Sequence, residues 1–276
     1  MTAIEIGRGK SARRGYELDD VAIIPSRRTR DADDVSTAWA IDAFEFDVPL
    51  VTLGDHAIDG ALSVLEAESF VSSDGSFDIE AITGALDAVD DAGAVSAIAV
   101  RPQRTQELLD GLGRVQPDLL FIRGRVVSAE HVARNREPLN LKQLVRQIEV
   151  PVIAGGCSSY KGALHLMRTG AAAVIVQSNL ASQGVHVPLA TAIADARAAR
   201  SRHLDETGVY CQIIAAVPVR NGGDVAKAIV CGADAVLVEP VEGEAADVIG
   251  DLRRTMATCG FESPKEFQSA ELVVTK

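Results

Sequence analysis

Twice in the second half of this chain a helix-like segment ends on glycine and runs straight into an apolar stretch, and that joint limits the possible folds more than any other feature. LMRTG (166–170) precedes AAAVIV, and IVCGAD (229–234) precedes AVLV. Glycine ends a helix readily because it accepts the left-handed conformation. A strand apolar at every position has to be covered on both faces, as in a parallel sheet with helices packed outside it. The same alternation continues along the chain. Predicted strands lie at 46–53, 69–73, 94–100, 118–122, 150–154, 171–176, 210–216 and 233–238. Predicted helices lie at 58–68, 79–92, after Pro102, after a polar surface loop at 128–141, and at 160–168, 188–204, 224–230 and 245–258. Eight right-handed βα crossovers in strict order close a (β/α)8 TIM barrel, whereas a doubly wound sheet would need a reversal of strand order. Residues 1–276 read as one domain, with an N-terminal arm over 1–45, the barrel over about 46–260 and a tail over 261–276.

Composition narrows the partners. The formal charge of −12 disfavours nucleic acid or an anionic membrane surface. No apolar run reaches the roughly 18 residues that span a bilayer, and the basic N-terminal stretch has no apolar segment behind it, so no secretion signal is expected. Cys157, Cys211, Cys231 and Cys259 are scattered without metal-ligand or disulfide spacing. The expectation is four reduced thiols in a cytoplasmic protein that holds no metal.

Barrel chemistry sits at the C-terminal ends of the strands, which defines the candidate pocket. Strand one delivers Asp55 and His56, strand two Asp74, strand three Arg101, and strand four Arg123 and Arg125. Strand five delivers Gly155, Gly156 and Cys157, strand six Gln177, Ser178 and Asn179, and strand eight Glu239 and Pro240. Three guanidinium groups at one mouth suit a carboxylate or phosphate. Alternatively they neutralise Asp55, Asp74 and Glu239 in an internal network. Cys157 has no base nearby in sequence to form a thiolate, and His165, mid-helix, is expected to be packed or hydrogen-bonded.

Several phrases carry a family resemblance: ELDD (17–20), IPSRRTR (24–30), SAEH (128–131), GGC (155–157), ALHLMRTG (163–170), ATAIAD (190–195), KAIVCGAD (227–234) and KEFQ (265–268). With these the chain resembles the IMP dehydrogenase/GMP reductase superfamily and, more narrowly, a bacterial IMP dehydrogenase-related branch, shortened and without CBS domains. The resemblance implies a purine nucleotide held by phosphate loops after strands six to eight, a nicotinamide cofactor, NAD(P), and commonly a tetramer. This chain departs from the pattern at each of those places. After strand six a glycine-rich phosphate loop is replaced by VQSNLASQG (176–184). At strand seven the resemblance implies IADGG, with an acid gripping the ribose, where this chain has IAAVP (214–218) and then Gly222, Gly223 and Asp224. Asp224 there serves a helix N-cap at least as well as a ligand. Glu239 and Pro240 would oppose a phosphate by charge and by loss of an N–H. The mobile flap is cut to a short acidic link, and no cysteine occurs between Gln177 and Pro188 for a covalent step.

Three functions follow. One is a barrel that has lost hydride transfer and persists as a non-catalytic or regulatory partner, in homo-oligomers or with a complete family member. The second is a repurposed enzyme for a small anionic metabolite, using Cys157, Asp55 or Glu239 with Arg101, Arg123, Arg125, Gln177, Ser178 and Asn179. The third is a purine-nucleotide oxidoreductase with unusual loops, which alone retains NAD(P).

Overall fold

The computed structural model describes residues 4–54, 56–134, 138–178, 180–239 and 247–275, the Glu239 side chain excepted. Eight parallel strands close a barrel: β1 (Leu50–Leu53), β2 (Leu62–Glu66), β3 (Ala97–Val100), β4 (Leu119–Arg123), β5 (Val152–Cys157), β6 (Ala173–Val176), β7 (Gln212–Pro218) and β8 (Ala235–Glu239). Around it lie α1 (Ile79–Asp91), α2 (Thr105–Leu112), α3 (Leu141–Gln147), α4 (Tyr160–Met167), α5 (Leu189–Thr207), α6 (Gly222–Cys231) and α7 (Val248–Thr258). Alternation along each strand sends residues such as Val64, Phe121, Ile175 and Leu237 into the barrel interior. Their neighbours, including Leu120, Ile122, Val174 and Val236, pack outward against the helices.

The later joints form as expected. Gly170 and Gly232 take φ of 97° and 128°, values that side chains rarely adopt. The first joint does not. The expected helix at 58–68 is replaced by a turn and then β2, so the second strand starts earlier than 69. Leu62 and Val64 alternate with Ser63, and the side chains of the first two enter the barrel. Gly60, at φ 74° against Asp47, turns the chain where a helix would have continued. No helix lies between β1 and β2 among the described residues.

The barrel floor is closed by a hairpin of Trp39–Ile41 and Phe44–Phe46. Trp39 and Ile41 join the inner core, and Gln212 at the start of β7 donates to Ala40 O at 2.8 Å. The N-terminal arm packs across the barrel: Arg13 pairs with Asp195 of α5, and Val21–Ile23 forms an antiparallel ladder with Leu272–Val274 of the tail. No helix of the described residues is long and apolar enough to cross a membrane. All four cysteines are buried and unpaired.

Candidate functional site

At the C-terminal mouth, strand alternation puts Glu66, Arg101 and Arg123 in the layer directly above Val64, Ala99 and Phe121. Arg123 Nη1 approaches Glu66 Oε1 at 3.8 Å, across the intervening β3, and its Nε is buried without a hydrogen-bond partner among the described residues. Arg101 donates from Nε to Glu68 Oε1 at 2.9 Å and from its backbone N–H to the same oxygen at 3.1 Å. The internal-network expectation therefore holds for these two arginines, but with different acids. The partners are Glu66 and Glu68, which end β2 and begin the turn after it. Asp74 instead accepts from the Ser76 N–H and hydroxyl, at 3.0 and 2.7 Å. His56 is exposed. Asp55, Asn179 and Pro240 lie outside the described residues, as does the Glu239 side chain, whose backbone ends β8 opposite Pro218.

The remaining candidates meet beside the mouth. Arg125, Gly156, Cys157, Gln177 and Ser178 line one cavity of about 540 Å³ between the loops after β4, β5 and β6. Its floor is the first turn of α4, which starts where it does because Ser159 caps the Gly162 N–H. The predicted ligand glycines have another role. A Cβ on Gly155 would sit 2.5 Å from Ile175 Cβ, and one on Gly156 would run into Gln177 Cγ, so both glycines let β6 approach β5. Cys157 is buried, and burial pushes its thiol up to about 12. A thiol with that pKa is not a thiolate at neutral pH, although a helix start is nearby. Ser178 Oγ accepts from Val187 N at 3.1 Å and lies 3.1 Å from His186 Nδ1, and His186 Nε2 lies 2.7 Å from Glu17 Oε1. These bonds tie the strand-six loop to the N-terminal arm. Contrary to expectation, His165 is exposed on the cavity side of α4 with no ion pair among the described residues. Lys161, also in this wall, was missed. Its signal was position: two residues after a serine cap, where a helix presents free N–H groups.

Gly223 and Asp224 lie at the β7–α6 joint, away from that cavity. The cap there is Asn221, whose side chain accepts from Gly223 N, and not Asp224. Asp224 instead accepts from the Arg220 N–H and side chain at 2.9–3.0 Å, and Arg220 also holds Asp19 at 2.7 Å. Burial works to raise the Asp224 pKa, but the Arg220 guanidinium and N–H outweigh it and hold the carboxyl below its ordinary value. A depressed carboxyl stabilises the fold above its unfolded-state pKa, about 3.9, and loses that contribution as pH falls through the lower folded value. Asp224→Asn is expected to cost about 1.5 kcal/mol at neutral pH, toward the low end because Arg220 is half-exposed. Urea titrations at descending pH should show this deficit shrinking below pH of about 4. A deficit independent of pH would contradict the assignment.

Comparisons with known proteins agree with this architecture. The FMN-dependent dehydrogenase family profile matches residues 95–240, from just before β3 to just after β8. An uncharacterized oxidoreductase of Mycolicibacterium smegmatis is 39% identical over 300 residues, covering 90% of this chain and 80% of its own length. The inosine-5'-monophosphate dehydrogenase of Haemophilus influenzae is 34% identical over 140 residues, 48% of this chain and 27% of its own. A solved IMP dehydrogenase/GMP reductase-like protein from Corynebacterium glutamicum superposes with a TM-score of 0.87 at 33% identity, covering 99% of this chain and 98% of its own. The family resemblance implied a nicotinamide, kept only if the ancestral activity survives, whereas the matching family's name carries a flavin. A flavin mononucleotide would need a seat of backbone N–H groups for its phosphate. At the β7–α6 joint Pro218 has no N–H, those of Arg220 and Gly223 are bonded within the joint, and the Asp224 carboxylate occupies it. Among the described residues this joint does not fit a flavin phosphate. The chain belongs to the FMN-dependent dehydrogenase family and, with the IMP dehydrogenase/GMP reductase-like proteins, to one superfamily of (β/α)8 barrels.

Proposed function

We propose that this barrel no longer performs the hydride transfer of its superfamily and serves as a non-catalytic or regulatory partner linked to purine nucleotide metabolism. It would do so in the cytoplasm, in oligomers with itself or with a complete family member. The observation that carries the proposal is the mouth: Arg123 and Glu66 face each other where a substrate would sit, and a cavity of about 540 Å³ lies to one side. Cys157 as a buried thiol and Asp224 locked by Arg220 support it, since neither group is free to react or to grip a ribose. Oligomer formation is supported by apolar side chains left in the open: Ile24, Val273 and Val274 along the arm–tail ladder, and Ile4 and Ile6 on the N-terminal hairpin. Size-exclusion chromatography with light scattering, alone and mixed with a complete IMP dehydrogenase, is expected to show a homo-oligomer or a mixed complex. A strict monomer under both conditions would count against the partner role.

A second function, an enzyme repurposed for a small anionic metabolite, is favoured by the side cavity, whose exposed cations lack carboxylate partners among the described residues. It would show as turnover that depends on that cavity and not on Arg123 or Glu66.

A further inference from the structure

The side cavity combines three features that have no structural use in the fold. The first is charge. Arg125 reaches it from the loop after β4, and Lys161 and His165, one helical turn apart on α4, come from the other wall. All three are exposed, and none makes an ion pair among the described residues. Glu130 is the one carboxylate residue in the lining. In a chain of net charge −12, the two unpaired cations Arg125 and Lys161 beside an imidazole are a local reversal of sign.

The second feature is the start of α4. Ser159 satisfies Gly162 N, and the Ser159 carbonyl accepts from Ala163 N. The N–H groups of Tyr160 and Lys161 precede any intrahelical acceptor, and Lys161 lines the cavity at this positive end of the helix. The third is a buried acceptor. Gln177 is 5% exposed and forms part of the wall. Its Nε2 donates to Gly124 O at 3.1 Å and Arg125 O at 3.3 Å, which fixes the amide orientation and leaves Oε1 with no donor. An unsatisfied buried acceptor is costly; Oε1 is covered from the cavity as it stands, and a small shift of the wall would let a donor on a ligand satisfy it. A ligand matching all three features has a dianionic end and a hydroxyl end. The volume, about 540 Å³, is in the ordinary range for a small-molecule site.

We infer that this cavity binds a small hydroxylated phosphate monoester. Its phosphate lies between Arg125, Lys161 and the first turn of α4, and a hydroxyl donates to Gln177 Oε1. The phosphate seat on α4 follows β5, so the site shares only the loop after β6 with the sixth-to-eighth joints where the superfamily resemblance would place a nucleotide phosphate. The site stands whether the barrel is a regulator or an enzyme.

Calorimetric titration of the full chain with glycerol 3-phosphate, inorganic phosphate and glycerol separates the parts. Glycerol 3-phosphate should bind saturably and more tightly than inorganic phosphate, and glycerol should not bind. Arg125→Gln and Lys161→Gln, both on exposed side chains, should each weaken glycerol 3-phosphate by about tenfold or more. Arg146→Gln, exposed on α3 and outside the cavity, should not change it. Gln177→Met should remove the advantage of glycerol 3-phosphate over inorganic phosphate, with unfolding curves confirming that the variant is folded. No saturable binding, equal affinity for the two phosphates in the native protein, or binding indifferent to Arg125→Gln and Lys161→Gln would overturn the assignment.

Discussion

Arg200→Met should destabilise the barrel by about 3–5 kcal/mol, the cost of leaving one buried charge without its partner. Arg200 and Asp234 are almost wholly buried, with Nη1 to Oδ2 at 2.6 Å. Asp234 also accepts from Ile213 N at 2.7 Å and from Tyr210 Oη and Gln268 Nε2, each at 2.9 Å. Arg200 in turn donates to Gln268 Oε1 at 3.0 Å and lies over the Tyr210 ring. One cluster thus ties α5, the entries to β7 and β8, and the C-terminal tail together. It sits at the N-terminal end of the strands, the end that serves stability in this fold. Removing Arg200 leaves Asp234 buried and short of the cation that offsets burial, which already pushes its carboxyl above the ordinary range. Arg200→Met with Asp234→Asn should cost less than the sum of the two single changes, because the stranded charge is gone. Urea unfolding measures all three. A loss under about 1 kcal/mol for Arg200→Met would place the pair with surface ion pairs.

Phe121→Ala should cost a similar amount, about 3–5 kcal/mol. Phe121 is fully buried inside the barrel on β4, one layer below the Arg123–Glu66 pair. The interior it shares mixes alanines (Ala99, Ala173, Ala216, Ala235) with Val64, Ile153, Ile175 and Leu237, all borne on barrel strands that limit how far they can move into the gap. Phe121→Leu keeps most of the volume and should cost clearly less. The same substitution tests the support of the mouth, since Arg123 is held up by the layer beneath it. Near-equal unfolding midpoints for native protein and Phe121→Ala would mean that the interior is not packed to this density.

The second half of the barrel was readable because local and global signals agree there. Gly170 and Gly232 end segments that run into the buried stretches Ala173–Val176 and Ala235–Leu237, so each joint has one interpretation. The first half was harder because 58–68 satisfies two periods. Ile58, Ala61, Leu62 and Leu65 fit a helix, while Leu62 and Val64 fit a strand, and barrel closure decided for the strand. Arg101 and Arg123 lie at the mouth while Arg125 turns into the cavity beside it, and the partners were not legible because Glu66 and Glu68 come into play only once β2 is placed. Asp224 was recognised, but its bond to Arg220 depends on the turn before α6, which Asn221 caps. Gly155 and Gly156, read as ligand glycines, also let β6 pack close, against Ile175 and Gln177, and Gly156 lines the side cavity. Lys161 and His165 had no motif to flag them. They matter only through the way α4 enters beside the loops after β4 and β6.

The central claim is that ligand chemistry has left the axis of this barrel, and turnover of the superfamily's substrates tests it most directly. Purified protein supplied with IMP and NAD⁺, or with GMP and NADPH, is followed by the nicotinamide absorbance, with a complete IMP dehydrogenase as the positive control. The expected result is no protein-dependent change in either direction. Sustained, enzyme-proportional oxidation of IMP or reduction of GMP, lost in Arg123→Ala or Glu66→Ala, would contradict the account.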